Sequence, residues 1–382
     1  MSSAIVYSGW EREVSMNQGL DQLKIPLVDM DALDRKEPKA LSQLEEALGT
    51  YGLAHLQGHR VNTQLLEQFY QEWFSFTQRP LAEKEKLSKP EIWFQRGWTP
   101  PNTEQAVIAG GKPDFKECYF ATPFPHDPLI IADYPEICAA KVWPSDSGSE
   151  FKTSYLSLSQ DLHHAGERLL RGCEEILGLS TGNLVDRIKG GAHVTRALRY
   201  IALTEQQLEE KVLWGEEHTD FNLLTLLPGG RFYNDTGERA YPDGEFGLYL
   251  RTRGSDHHPE GHRVRGNAPP GAIIAQVGQQ LEILSAGRFL ATPHEVLAPP
   301  YSGLTRCATA HFIHLHPHQL VRPLTPFANE VSLARYRPPA LAGTYSLKTL
   351  VDIGLAPKGT LERLGYSQYE RLISQRQREG RS

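Results

Sequence analysis

A chain of 382 residues with 40% hydrophobic and 23% charged side chains has the balance of a folded globular protein with a sizeable core. Its formal charge of −6 argues against nucleic acid as the main partner, because phosphate binding needs a basic surface. No run approaches 18 apolar residues, no basic start leads into an apolar stretch, and Cys118, Cys138, Cys173 and Cys307 form no CxxC, so the expectation is a soluble cytoplasmic protein without a membrane span or a cysteine-held zinc.

The first half reads as helical with a few strands. Ile25 to Asp29 (IPLVD) suits an early strand. A helix is expected over residues 38–48, with Pro38 at its start, Leu41, Leu44 and Leu48 at helical spacing, and Gly49 and Gly52 near its end. Residues 53–56 form a brief strand. Asn62 can cap the next helix, whose Leu65, Leu66, Phe69, Tyr70, Trp73 and Phe76 make a wide core stripe. Residues 88–128, rich in Pro, Gly and aromatics, read as an ordered loop region. Another helix is expected over 159–177, ending at Gly178.

From about Val194 the pattern changes to strands broken by turns: 194–203, 222–227, 246–252, 272–276, 280–285 and 305–314. Short strands separated by Gly and Pro indicate a sandwich or barrel and not a parallel α/β sheet. A polar, glycine-rich stretch from Gly229 to Gly271, interrupted by one strand, has the length of a functional lid. The tail from Arg322 ends in an expected helix over 359–378. Three regions follow: 1–190, helical with strands and packed on the core; 191–320, the β core; and 321–382, the tail, together one integrated unit.

The chemistry concentrates in one constellation. In Glu217-His218-Thr219-Asp220-Phe221-Asn222 a His and an Asp stand two apart before an apolar run, and in extended backbone residues i and i+2 face the same way. A second His, His294, sits in another β-type segment, Ala291 to Val296. Two imidazoles and one carboxylate on one face of a metal leave the opposite positions open, the facial arrangement used for iron(II) and dioxygen. Twelve residues further, Arg306 interrupts an apolar strand. An unpaired buried charge costs several kcal/mol, and a guanidinium fork matches a carboxylate, so either a dicarboxylate cosubstrate or an internal protein carboxylate is expected against it.

These segments, in this order, resemble the isopenicillin N synthase-like, plant-type branch of the iron(II)/2-oxoglutarate-dependent dioxygenases. The resemblance runs from about residue 24 to 320 and is carried by several motifs: IPLVD at 25–29, YGLAHL at 51–56, RGWTP at 96–100 with Glu104, DFKE at 114–117, LRY at 198–200, HTDFNLLTLL at 218–227 and GQQLEILSAGRFLATPHEV at 278–296. It implies a double-stranded β-helix, or jelly-roll, core with flanking helices, an α+β fold dominated by β structure. It also implies iron(II) held by His218, Asp220 and His294, with 2-oxoglutarate and dioxygen as co-reactants and Arg306 on the distal carboxylate of 2-oxoglutarate. The implied reaction is hydroxylation, desaturation or cyclisation of a small molecule at a C–H bond, with release of succinate and CO2.

One position departs from the family pattern. Ala308 stands where the last-strand Arg-x-Ser motif has its Ser, and losing one hydrogen bond to a charged group costs about 1.5–3 kcal/mol if nothing replaces it. Tyr200 and Thr225 are the candidate replacements, since Thr309 points to the other face. The bacterial ethylene-forming enzyme, in the same branch, is similar in having Arg-x-Ala-x-Ala here. The alternatives are an iron(II) oxidase resembling isopenicillin N synthase that uses no 2-oxoglutarate, a non-catalytic β-barrel binding module, and a cupin-type enzyme with another metal. Phe221, Asn222 and Trp214 are candidate pocket residues, as are Trp93 and Phe94. His311, His314, His316 and His318 read as structural rather than as a second metal site, Asp256, His257, His258 and His262 as solvated loop residues, and Gly110-Gly111-Lys112 lacks phosphate-loop spacing.

Overall fold

Alternation along the longest strand sets the architecture. In Thr305–Ile313, Thr305, Cys307, Thr309, His311 and Ile313 face one way while Arg306, Ala308, Ala310 and Phe312 face the other. Each face therefore needs its own packing partner. The computed structural model describes residues 24–103, 115–145, 150–210, 212–254, 258–357 and 359–364.

Among the described residues, fourteen strands build two sheets: β1 Leu27–Asp29, β2 Leu53–Gln57, β3 Gly97–Thr99, β4 Lys116–Ala121, β5 Val194–Tyr200, β6 Gly215–His218, β7 Leu224–Leu227, β8 Arg231–Tyr233, β9 Arg239–Ala240, β10 Gly247–Arg251, β11 Arg263–Arg265, β12 Ile273–Val277, β13 His294–Leu297 and β14 Thr305–Ile313. The main sheet has the order β1-β2-β12-β7-β14-β5-β4-β3, with β8 also paired to β14 and β9 to β8. The smaller sheet has the order β11-β10-β13-β6. Only β1–β2 is parallel; the other pairs in these two sheets are antiparallel. Between the sheets, Leu53, Phe120, Leu198, Leu248, Leu250, Ile274, Val296, Ala308 and Ala310 form one buried cluster. This two-sheet arrangement is the one expected of a double-stranded β-helix.

The outer face of the main sheet is covered by helices. Asn62 Oδ1 accepts from the amides of Gln64 and Leu65, which starts helix Thr63–Thr77 where the sequence places it. Its buried Phe69, Tyr70, Trp73 and Phe76 lie in the same core cluster as Phe151, Tyr155 and Leu158 of helix Glu150–Ile176. That helix starts nine residues before the expected position at 159. Gly166 lets it lie close on the sheet, because a Cβ there would stand 2.2 Å from Ile313 Cδ1.

Other expectations are corrected. The loop region 88–128 contains β3 and β4, which extend the main sheet beyond β5. The strand expected at 280–285 is a helix, Gln279–Leu284. Its buried Gln280, Leu281 and Leu284 follow helical spacing, and Gly278 caps its start. The stretch 229–271 contains four strands, β8 to β11, where one was expected. In the tail, Ala342–Asp352 is helical; the expected terminal helix appears as Thr360–Arg363, and its remainder lies outside the described residues, as do Glu104, Asp114, Gly110 to Lys112, Asp256 and His257.

Candidate active site

His218 and His294 are directly opposed across β6 and β13, with ring centroids 4.3 Å apart. Asp220 lies in the turn after β6, so the bend and not strand parity brings its carboxylate back towards both rings. Asp220 Oδ1 is 3.9 Å from His218 Nε2 and 3.9 Å from His294 Nε2. Among the described residues this is the one group of three His, Cys, Asp or Glu side chains that could hold a metal ion, with ligand atoms all within 4.8 Å of one another.

The surrounding bonds turn these three groups to a common point. His218 Nδ1 is 2.7 Å from the Glu216 carbonyl, which fixes the proton there and leaves the Nε2 lone pair for a ligand role. His294 Nδ1 lies 3.3 Å from the Thr292 carbonyl. The buried Gln276 carboxamide abuts the same nitrogen, and its oxygen has no other partner among the described residues. With that oxygen turned to Nδ1–H both groups are satisfied. Burial first, then the neighbouring His218, pushes His294 down to about 4, so its imidazole is neutral at physiological pH. Thr225 Oγ1 donates to Asp220 Oδ2 at 2.6 Å and leaves Oδ1 facing the rings.

The ligand turn is braced from behind. Asn222 Nδ2 donates to the carbonyls of Leu224 and Ile313. The Gln279 amide donates to the Asp220 carbonyl at 2.7 Å, and Gln279 Nε2 to Thr219 Oγ1 at 2.6 Å. A Cβ at Gly278 would stand 2.0 Å from the Asn222 carbonyl, so only glycine lets helix Gln279–Leu284 dock this closely. The residues therefore fit a metal. Ligand atoms roughly 2.1 Å from one ion at right angles stand about 3 Å apart. Closing the 3.9 Å separations needs rotation mainly of His218, whose side chain is 54% exposed.

Replacing Thr225 by Val removes the hydroxyl that orients Asp220. Iron(II) affinity, measured by anaerobic titration, is expected to fall roughly 10- to 100-fold, while Thr225→Ser retains it. Unchanged affinity in the Val variant would show that the carboxylate needs no such support.

A cavity of about 840 Å³ opens from the triad between the sheets. Arg306 and Tyr200 line it, and they are direct cross-strand partners, the guanidinium carbon 5.2 Å from the Tyr200 ring centre. Arg306 makes no ion pair with a carboxylate among the described residues. The Gly229–Gly230 turn lies flat on it: a Cβ at Gly230 would stand 2.7 Å from Arg306 Nε, and Tyr70 Oη holds the Gly229 carbonyl. Ala308 faces the cavity, and Thr309 Oγ1 is bonded instead to the Arg196 carbonyl at 3.1 Å. Thr225 also lines the cavity, with its hydroxyl committed to Asp220.

None of the five expected pocket residues, Trp93, Phe94, Trp214, Phe221 and Asn222, lines this cavity. Trp214 is buried behind the wall, stacked on Tyr200 at 5.5 Å with its Nε1 on the Ile201 carbonyl. Asn222 braces the ligand turn, and Phe221 packs near His314. Trp93 packs with the cluster around Tyr134 and Leu347. The segments 229–232, 246–248 and 267–271 do line the cavity, so the glycine-rich stretch shapes its mouth. Lys116, Arg196 and Gln276 also line it. For Arg196 a signal existed in its alternation with Leu198 and Tyr200.

Two family models match the chain. One, described as non-haem dioxygenase in morphine synthesis N-terminal, covers residues 25–146, and the other, the 2OG-Fe(II) oxygenase superfamily, covers residues 196–315. Jasmonate-induced oxygenase 4 of Arabidopsis thaliana is 25% identical over 318 residues, 83% of this chain and 79% of that protein. Among solved structures, a putative 2OG-Fe(II) oxygenase family protein from Caulobacter crescentus matches with TM-score 0.71 and 22% identity over 86% of this chain and 99% of that one. A full-length Neurospora crassa protein solved in complex with alpha-KG matches with TM-score 0.68 and 19% identity over 87% of this chain and 97% of that one. These structures share the double-stranded β-helix fold.

Proposed function

The chain belongs to the 2OG-Fe(II) oxygenase superfamily, an iron(II)- and 2-oxoglutarate-dependent dioxygenase acting on a small molecule, and from that premise we propose that His218, Asp220 and His294 hold the iron and Arg306 clamps 2-oxoglutarate. The observation that carries this reading is the placement of Arg306 in the same cavity as the three convergent ligand atoms, with no protein carboxylate against it among the described residues. Iron, when bound, supplies the activation of dioxygen that couples decarboxylation of 2-oxoglutarate to oxidation of a substrate C–H bond.

The protein's own part is geometric and electrostatic. The imidazoles of His218 and His294 offer Nε2, and Asp220 offers Oδ1 while Thr225 holds its other oxygen. Arg306 presents a fork to the distal carboxylate, and the phenol of Tyr200, its cross-strand neighbour, takes the part of the hydroxyl that Ala308 lacks. The apolar walls of Leu198, Leu227, Ile274 and Val296 keep water from the reacting centre. Among the described residues no helix is long and apolar enough to cross a membrane.

Anaerobic addition of 2-oxoglutarate to the iron(II)-loaded protein is expected to produce a metal-to-ligand charge-transfer band, and admitting air with substrate to release succinate. Arg306→Gln should weaken 2-oxoglutarate binding roughly 10- to 100-fold, the worth of a charge-assisted pair. A variant that binds 2-oxoglutarate as the parent does would remove Arg306 from the clamp.

A further inference from the structure

The Arg306 end of the cavity is built on a strand with neighbours on both edges. Arg306 and Cys307 of β14 pair with Tyr200 and Arg199 of β5, and the same two residues pair with Phe232 and Arg231 of β8. β5 and β8 therefore occupy opposite edges of β14. Tyr200, Arg306 and Phe232, as direct cross-strand partners, share the face that lines the cavity. On the β5 side the guanidinium carbon lies 5.2 Å from the Tyr200 ring centre. On the β8 side stands the Gly229–Gly230 turn, which leads into β8. A Cβ at Gly230 would lie 2.7 Å from Arg306 Nε and 3.1 Å from both Cζ and Nη2, so bare backbone packs along one edge of the guanidinium.

That turn is held from behind by a residue outside the cavity. Tyr70, on helix Thr63–Thr77, is fully buried, does not line the cavity, and donates its hydroxyl to the Gly229 carbonyl. Burial pushes its phenol far above the ordinary tyrosine range, so it stays protonated and able to donate. The Arg231 guanidinium lies over the same ring, 5.0 Å from its centre, and donates to the Gly230 carbonyl at 3.1 Å and to Glu67 at 2.8 Å. Both carbonyls of the turn are thus held. Core packing explains the Tyr70 ring, which meets Phe69 edge to face at 5.3 Å, but not the hydroxyl. A phenylalanine would fill the same space and take this donor from the Gly229 carbonyl.

We propose that Tyr70 is a positioning residue for 2-oxoglutarate, its hydroxyl holding the Gly229–Gly230 turn against Arg306 so that the guanidinium fork is aimed at the distal carboxylate. This rests on the reading of Arg306 as the clamp. A long arginine side chain has many rotamers, and a rigid surface along its edge removes the unproductive ones before the ligand arrives. Loosening the turn returns that freedom. The loss then falls on ligands that engage the fork and spares those that bind through the keto-acid end alone.

The test compares 2-oxoglutarate with 2-oxopentanoate, which keeps the keto acid and the chain length but ends in a methyl group in place of the distal carboxylate. Both are titrated anaerobically into the full-length iron(II)-loaded protein and followed by the charge-transfer band. The parent is expected to bind 2-oxoglutarate roughly 10-fold or more tightly than 2-oxopentanoate. Y70F should weaken 2-oxoglutarate roughly 3- to 10-fold, the worth of one hydrogen bond, and leave the affinities for 2-oxopentanoate and iron(II) in place. G230A, which crowds the guanidinium and leaves the helix intact, should narrow the preference at least as much. Y233F removes a neighbouring hydroxyl, bonded to the Tyr70 carbonyl at 3.4 Å, and should keep the parent preference. A parent-like preference in Y70F or in G230A, an equal loss for both ligands in Y70F, or the same narrowing in Y233F would overturn the proposal and leave the Arg306 clamp standing. A parent that binds the two acids equally overturns the clamp itself, and the proposal with it.

Discussion

Asp220→Ala is expected to abolish iron(II) binding and, with it, succinate release at any practical iron concentration, a loss of roughly 1000-fold or more. Asp220 is the one carboxylate among the three proposed ligands. Removing it forgoes several kcal/mol of metal binding, and each 1.4 kcal/mol is a factor of ten. It also takes from Thr225 its nearer acceptor, leaving Asn222 Oδ1 at 3.3 Å, and sets the imidazoles, 4.3 Å apart, against one another with no carboxylate between them. His218→Ala is expected to be milder, because that side chain is half exposed and water can take its place. Iron affinity measured by anaerobic titration decides the matter. An Asp220→Ala protein that holds iron as the parent does would dismantle the ligand assignment.

Much of this site was legible because strand geometry and ligand chemistry are local. His218 and Asp220 stand two apart, and the apolar run after them announces β7. Alternation in 305–313 put Arg306 and Ala308 on one face before any fold was known, and that face lines the cavity. Asn62 marked a helix start by a bond made within three residues. The failures are non-local. In 280–285 a run of Leu, Ile and Leu fits strand or helix, and the choice is made by Gly278 docking on the Asn222 carbonyl. The strands in 88–128 exist because β5 offers them an edge, which proline and glycine content does not report. Trp214 and Phe221 neighbour the ligands in sequence, yet Trp214 packs on Tyr200 behind the wall and Phe221 turns to His314. Arg196 and Lys116 reach it from strands nearly eighty residues apart in sequence, joined by the β4–β5 ladder.

The second large effect is on stability. Lowering the pH from 7.5 to 5.5 is expected to remove up to about 5 kcal/mol of folding free energy, and the origin is a buried histidine cluster on the sheet's outer face. His163 Nδ1 is 3.2 Å from His311 Nε2, and His311 Nδ1 is 2.8 Å from Thr195 Oγ1. His193 Nε2 is 2.9 Å from the Ile188 carbonyl, and its Nδ1 accepts from the His314 amide. The two contacts of His193 specify a neutral ring, and the His163–His311 contact needs one of its two nitrogens unprotonated. Burial pushes His163 and His314 down to about 4 and holds His193 and His311 well below the ordinary histidine value. In the unfolded chain all four titrate near 6.5. Their folded values are depressed, so between about 6.5 and 4 the unfolded state binds more protons, and stability rises with pH across that window. The contribution is complete above about 6.5 and drains away as the pH falls towards 4. Each histidine accounts for at most about 1.4 kcal/mol per pH unit, and four together rival a large part of a typical 5–15 kcal/mol total. Urea unfolding midpoints between pH 8 and pH 5 measure the slope, and substituting His311 by Gln should flatten it. A midpoint unchanged down to pH 5 would mean that the cluster takes up protons without unfolding.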